Sequence, residues 1–150
     1  MLYYLRTYLL TGYFLFACLL TFIFCLFRPF HANNNWVLSR LMRPALVLLN
    51  AKIKVNNQTP YPDGPCIYIG NHQDFFDVYL LCTIYPKNTS IVGKTSLRWI
   101  PIFGQMFWLA GNILLDRDNK GKAWKTMHEL ADKVQELQRC LLIFPEGTRA

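Results

Sequence analysis

From Thr7 to Phe27 the chain runs for 21 residues without a charged side chain, T-Y-L-L-T-G-Y-F-L-F-A-C-L-L-T-F-I-F-C-L-F, between Arg6 and Arg28. As an α-helix such a run is about 31 Å long, close to the hydrocarbon thickness of a bilayer. A cleavable signal peptide has an apolar region of only about 7–15 residues, followed by small residues. This run is longer, rich in aromatics, and ends in Phe27-Arg28-Pro29. A buried core helix needs more surrounding mass than a chain of 150 residues supplies. The run therefore reads as a membrane helix.

The charge distribution agrees. Sixteen Lys and Arg face nine Asp and Glu, a formal net charge of +7. Arg6, Arg28, Arg40, Arg43, Lys52 and Lys54 all precede the first acidic residue, Asp63, so +6 of the +7 lies in residues 1–62. A nucleic-acid binder spreads its bases over a folded face with interleaved aromatics. Bases placed beside apolar sequence suit an anionic lipid surface instead, and no nucleic-acid partner is expected. Charged residues make up 17% of the chain and hydrophobic ones 53%, which excludes disorder, collagen-like repeats and a coiled coil. The cysteine count, five, is odd. With no C-x-x-C, neither a disulfide framework nor a zinc site is indicated.

Asn33-Asn34-Asn35 breaks the apolar run and supplies helix-capping residues. Apolar residues at helical spacing from Trp36 to Leu49, interrupted by Ser39, Arg40 and Arg43, predict a second, amphipathic helix at the membrane interface, kinked or shortened by Pro44. Residues 1–50 thus read as a pair of membrane-anchoring helices, either spanning the bilayer or re-entrant. The excess of bases after the run places residues 50–150 on the cytoplasmic side.

Residues 51–150 alternate short apolar strands with helices. Strands are predicted at Lys52–Val55, Cys66–Ile69, Ser90–Val92, Ile113–Leu115 and Leu141–Phe144. Helices are predicted after Asp74, brokenly through Ser96–Trp108 around Pro101 and Gly104, and from about Asn119 to Gln138. This pattern predicts an α/β layer with a mostly parallel sheet. In such sheets, ligands bind beyond the carboxyl ends of the strands.

Chemically loaded residues fall at those ends. Asn71-His72 through Asp77 follows the 66–69 strand, Lys94 follows the 90–92 strand, Asp116-Arg117 follows the 113–115 strand, and Pro145-Glu146-Gly147-Thr148-Arg149 follows the 141–144 strand. His72 and Asp77 are five apart, about 140° of rotation on an ideal helix, so they share no helix face. With His72 in the loop and Asp77 in the first turn or two of the helix they can meet. The carboxylate then fixes the imidazole tautomer, and the other ring nitrogen can take a proton. No serine or cysteine nucleophile stands beside them, so a substrate alcohol can fill that place. Lys94, Arg117 and Arg149 are cations suited to a phosphate. Gly147 lets backbone amides approach an anion, and Glu146 reads as an orienter of Arg149 or a partner for a substrate hydroxyl. Taken singly, each group also fits an ordinary role, as a capped loop histidine, a surface ion pair or a solvated lysine.

At these residues the chain resembles the glycerophospholipid acyltransferase family, and within it the bacterial lysophosphatidic acid acyltransferases. The likeness rests on N-H-x-x-x-x-D at Asn71–Asp77, Gly111-Asn112-Ile113-Leu114-Leu115-Asp116-Arg117, and Phe144-Pro145-Glu146-Gly147-Thr148-Arg149, in family order. Val92-Gly93-Lys94 and Trp99-Ile100-Pro101-Ile102-Phe103-Gly104 are similar to the family too.

The resemblance implies that His72 is a general base on the sn-2 hydroxyl of lysophosphatidic acid and that Asp77 orients it. It implies that Lys94, Arg117, Glu146, Gly147, Thr148 and Arg149 bind substrate. The donor is acyl-CoA or acyl-carrier protein, the product is phosphatidic acid, and no metal or bound cofactor is needed. The expected setting is a bacterial inner membrane, with the catalytic part on its cytoplasmic face. Family members continue beyond the third block, so residues 51–150 are expected to be the first, incomplete part of the acyltransferase domain, with Leu141–Phe144 left as an exposed apolar edge. Another lysolipid acceptor, or an inactive membrane-binding module, are the alternative readings.

Overall fold

The computed structural model describes residues 2–56, 59–72, 76–116 and 120–145. Its elements are α1 (Leu2–Phe27), α2 (Asn34–Met42), α3 (Ala45–Leu49), β1 (Ile67–Ile69), α4 (Asp77–Ile84), β2 (Thr89–Lys94), a 3-10 turn (Thr95–Trp99), α5 (Phe103–Leu109), β3 (Ile113–Leu115), α6 (Lys120–Glu136) and β4 (Cys140–Ile143).

The four strands form one all-parallel sheet in the order β1-β4-β2-β3. The register pairs Ile67 with Leu141, Ser90 with Leu141 on the other side, and Val92 with Ile113. The α/β parallel-sheet expectation is met. Two local expectations are not. Leu141–Phe144 is no edge: β4, at Cys140–Ile143, lies between β1 and β2, where both flanks of its backbone are bonded. Its continuous apolar run is the signature of such an interior parallel strand. Lys52–Val55 alternates correctly but forms no strand, because no ladder partner lies beside it among the described residues and most of the segment is exposed.

Helices pack on both sides of the inner strands, while β1, at the sheet edge, exposes Ile67 and Ile69. On one side, α6 contributes Leu130 and Val134 to a cluster with Val92, Leu115 and Leu141. On the other, α1, α2, α4 and α5 bury Leu10, Phe14, Ala17, Cys18, Met42, Tyr79, Cys82 and Met106 together. α1 is 26 residues long, and within Tyr4–Phe27 an 18-residue stretch has a mean hydropathy of 2.3, long and apolar enough to cross a bilayer. Only one stripe of it turns inward. Leu10, Phe14, Ala17, Cys18, Thr21 and Cys25 are buried, at the i, i+4, i+7, i+8, i+11, i+15 spacing of a single helix face. The other sides expose Leu5, Tyr8, Leu9, Phe16, Leu20, Ile23, Leu26 and Phe27.

Pro44 does shorten the second helix. α2 stops at Met42, and α3 starts at Ala45 and ends on Asn50 in the left-handed region (φ 52°). The three asparagines do more than break the run. The Asn33 side-chain oxygen accepts from the Asn88 amide at 2.8 Å, and the Asn34 side chain donates to the Arg28 carbonyl at 2.8 Å. Asn35 exchanges two amide hydrogen bonds with Asn112, at 2.8 and 2.9 Å, and donates to the Thr89 carbonyl. The Asn112 oxygen also accepts from the Ile91 amide at 2.8 Å. Both asparagines are buried, so these bonds carry an unusually high cost of loss.

Asn112→Ala therefore leaves the Asn35 amide and the Ile91 N–H without their acceptor. We expect about 1–3 kcal/mol of destabilisation, read as a lower urea midpoint in detergent micelles. An unchanged midpoint contradicts the clamp.

Candidate active site

Because all four strands run parallel, their carboxyl ends lie on one rim, and the residues read from the sequence follow those ends. His72 comes three residues after β1, Lys94 closes β2, Asp116 follows β3 and Phe144 follows β4. Asp77 is the first residue of α4.

The expected meeting of His72 and Asp77 occurs, with Nδ1 3.1 Å from Oδ2 and both side chains part-buried. A carboxylate can only accept, so the ring proton sits on Nδ1 and the Nε2 lone pair is left for a proton. The His72 ring lies 5.0 Å from that of Phe144, centroid to centroid, tilted by 41°. Phe144 reaches it across Gly70, where an added Cβ would stand 3.2 Å from the Phe144 ring.

His72 and Lys94 open onto one cavity of about 530 Å³, whose walls are mostly apolar. Phe14 of α1, Met42 of α2, Cys82 of α4 and Phe107 of α5 contribute to it. Gly93 keeps it open, since a Cβ there would lie 2.8 Å from Leu97 Cδ1 and 2.9 Å from Phe107 Cζ. Arg117, Glu146, Gly147, Thr148 and Arg149 lie outside the described residues, as does Asp74.

The sequence reading missed Asn35 and Ser39, which also line the cavity. Ser39 had a visible signal as a polar residue on an otherwise apolar helical pattern. Its hydroxyl donates to the Trp36 carbonyl at 2.7 Å. The reading also missed Arg43, whose guanidinium donates to the Cys82 and Thr83 carbonyls in the last turn of α4 (3.2 and 3.1 Å). A cation at that end complements the helix dipole.

A carboxylate-oriented imidazole on an apolar cavity that a lysine also lines defines a site where a long apolar group and a hydroxyl-bearing acceptor can meet. A family model described as acyltransferase matches residues 52–150, and the chain belongs to that family. It is 35% identical over 151 residues to the 1-acyl-sn-glycerol-3-phosphate acyltransferase of Escherichia coli, covering all of this chain and 62% of that one. It is 36% identical over 152 residues to the Haemophilus influenzae protein of the same name, covering 99% and 62%. It is 30% identical over 154 residues to that of Saccharomyces cerevisiae, covering 99% and 50%. The chain thus spans 62% of the length of its bacterial relatives. No solved structure matches it.

The cavity wall has a chemical signature. Burial pushes the Cys82 thiol up to about 12 from 9.0, only partly opposed by the Arg43 guanidinium. A rise of that size lowers the thiolate fraction about a thousandfold. Iodoacetamide at pH 8 should therefore modify half-exposed Cys66 and spare Cys82 in the folded protein. Equal rates at the two, followed by mass spectrometry, contradict a closed wall.

Proposed function

We propose that this chain carries the catalytic dyad of a membrane-bound acyltransferase. The enzyme moves a fatty acyl group from acyl-CoA or acyl-carrier protein to the sn-2 hydroxyl of lysophosphatidic acid and forms phosphatidic acid. The observation that carries the reading is the 3.1 Å contact between His72 and Asp77 at the mouth of the apolar cavity. The names of the relatives supply the acceptor.

In this reading His72 Nε2 takes the proton of the acceptor hydroxyl as its oxygen attacks the thioester carbonyl. The Asp77 carboxylate holds the Nδ1 proton and stabilises the imidazolium. The carbon–sulfur bond then breaks, and the imidazolium returns the proton to the departing thiolate. A thioester is already activated, so general-base assistance and positioning suffice and no enzyme nucleophile is needed. Lys94, Arg117 and Arg149 hold the acceptor phosphate, assisted by Glu146, Gly147 and Thr148, and the acyl chain occupies the cavity. No cofactor enters these steps.

Residues 1–50 form the membrane anchor, and 51–150 belong to the acyltransferase domain. The outward apolar sides of α1 face lipid, while its inward stripe holds the domain against the bilayer. The concentration of bases before Asp63 supports a cytoplasmic-face location at a bacterial inner membrane.

In the full-length protein, His72→Ala should lower acyl transfer by about 10²–10⁴-fold and leave the protein in the membrane fraction. Near-normal turnover of labelled acyl donor would remove the general base. Arg149→Ala should raise the acceptor KM roughly tenfold, by loss of one charge-assisted contact, with kcat less affected. An unchanged acceptor dependence dismisses the phosphate role.

A further inference from the structure

Residues 98–102 form a compact projection from the end of the 3-10 turn to the start of α5. Ile102 has φ 65° and ψ −55°, and the Phe103 amide donates across it to the Pro101 carbonyl at 2.7 Å. This is a tight γ-turn of the rare strained hand, and here it is centred on a β-branched residue. The Gly104 amide donates to the Ile100 carbonyl, and no side chain fits at 104, where a Cβ would collide with the Arg98 carbonyl. The segment is thus fixed in shape, and what it presents outward is apolar. Trp99 is 76% exposed, and Ile100 and Ile102 are exposed beside it. The Arg98 guanidinium lies over the Trp99 ring, 5.0 Å from its centroid.

Two connections give this projection a setting. On its inner side, Leu97 and Ile100 line the cavity onto which His72 opens. At its end, Phe103 stacks 5.7 Å from Phe14 of α1, next to the stretch where α1 exposes Tyr8, Leu9 and Phe16. Through Phe103 the projection is thus packed on the buried stripe of the same helix whose other sides expose apolar groups. An indole with an apolar body and a polar N–H, beside a cation, is the pairing that settles at the level of phospholipid headgroups. Backbone strain kept in a rigid turn is a mark of functional positions.

We propose that the Trp99 projection is a second membrane contact. It seats at the headgroup layer of an anionic bilayer and brings the cavity mouth onto the lipid surface, so that a lysolipid passes to His72 from the membrane without crossing water. The contact itself stands on exposure and geometry; only the passage of substrate rests on the acyltransferase reading.

The test uses the full-length protein on vesicles of phosphatidylethanolamine and phosphatidylglycerol. The emission difference between the wild type and Trp99→Phe, a conservative change at an exposed position, isolates Trp99 from the other tryptophans. With vesicles this difference should shift to the blue and be quenched by lipids brominated near the top of the acyl chain. A Trp99 signal that ignores vesicles and stays open to iodide overturns the contact. Trp99→Ala should raise about tenfold the KM for lysophosphatidic acid presented in vesicles and leave unchanged the kcat/KM for a short-chain, water-soluble acceptor. Equal loss on both acceptors, or loss on neither, overturns the passage. A wild-type protein that lacks acyl transfer yet shows a lipid-quenched Trp99 refutes the acyltransferase reading and upholds the contact.

Discussion

The structure turns on the paired amides of Asn35 and Asn112. One belongs to the segment that follows the apolar helix, the other to the residue just before β3, 77 positions away. Together with the Asn35 bond to the Thr89 carbonyl and the Asn112 bond to the Ile91 amide, they tie α2 to two strands at once. Buried amides that satisfy each other have no competing arrangement in water-free surroundings, so the junction permits one docking of the helices on the sheet. The cavity follows from that docking, because Phe14, Leu38 and Met42 reach it only when α1 and α2 sit in this place. The apolar helices and the site are in this sense one packed body, although the family match begins at residue 52.

The same helices hold the element that carries Asp77. α4 spans eight residues, too short to be stable alone. Its far end is gripped by Arg43, through the Cys82 and Thr83 carbonyls, and by the Tyr61 hydroxyl, which donates to the Ile84 carbonyl at 2.8 Å. Its middle is fixed by Tyr79, fully buried, whose hydroxyl donates to the Leu10 carbonyl of α1. A carboxylate on the first residue of a helix secured in this way holds its imidazole in a defined orientation.

What was legible in the sequence was local or periodic. Ile113–Leu115 was readable as a strand because three consecutive apolar residues stand between Asn112 and Asp116. The break at Pro44 followed from the missing N–H and the ring of proline. The His72–Asp77 pair was readable because a five-residue spacing forbids a common helix face and so demands a loop followed by a helix start, which is what forms. The interior position of β4 was not readable, since strand order is decided by long-range pairing that a hydrophobic run does not encode. Lys52–Val55 failed for the complementary reason: alternation describes a surface, and a strand also needs a neighbour. Asn35 was legible only as a break. Its true partners are remote, and a polar residue's local preference for caps and turns says nothing of a distant amide.

A cavity that is mostly apolar also bears on chemical selectivity. A general base beside a thioester can deprotonate water as readily as an alcohol, and the acyl group is then lost to hydrolysis. An acyl chain filling the space between Phe14, Leu97, Phe103 and Phe107 leaves few polar partners to hold a water there, and water persists in a cavity only where such partners exist. Phe144 stands against one side of the His72 ring. In the proposed reaction, the acceptor hydroxyl is held at the cavity mouth through the rest of its molecule. Transfer to lipid in preference to water then follows from exclusion and residence together.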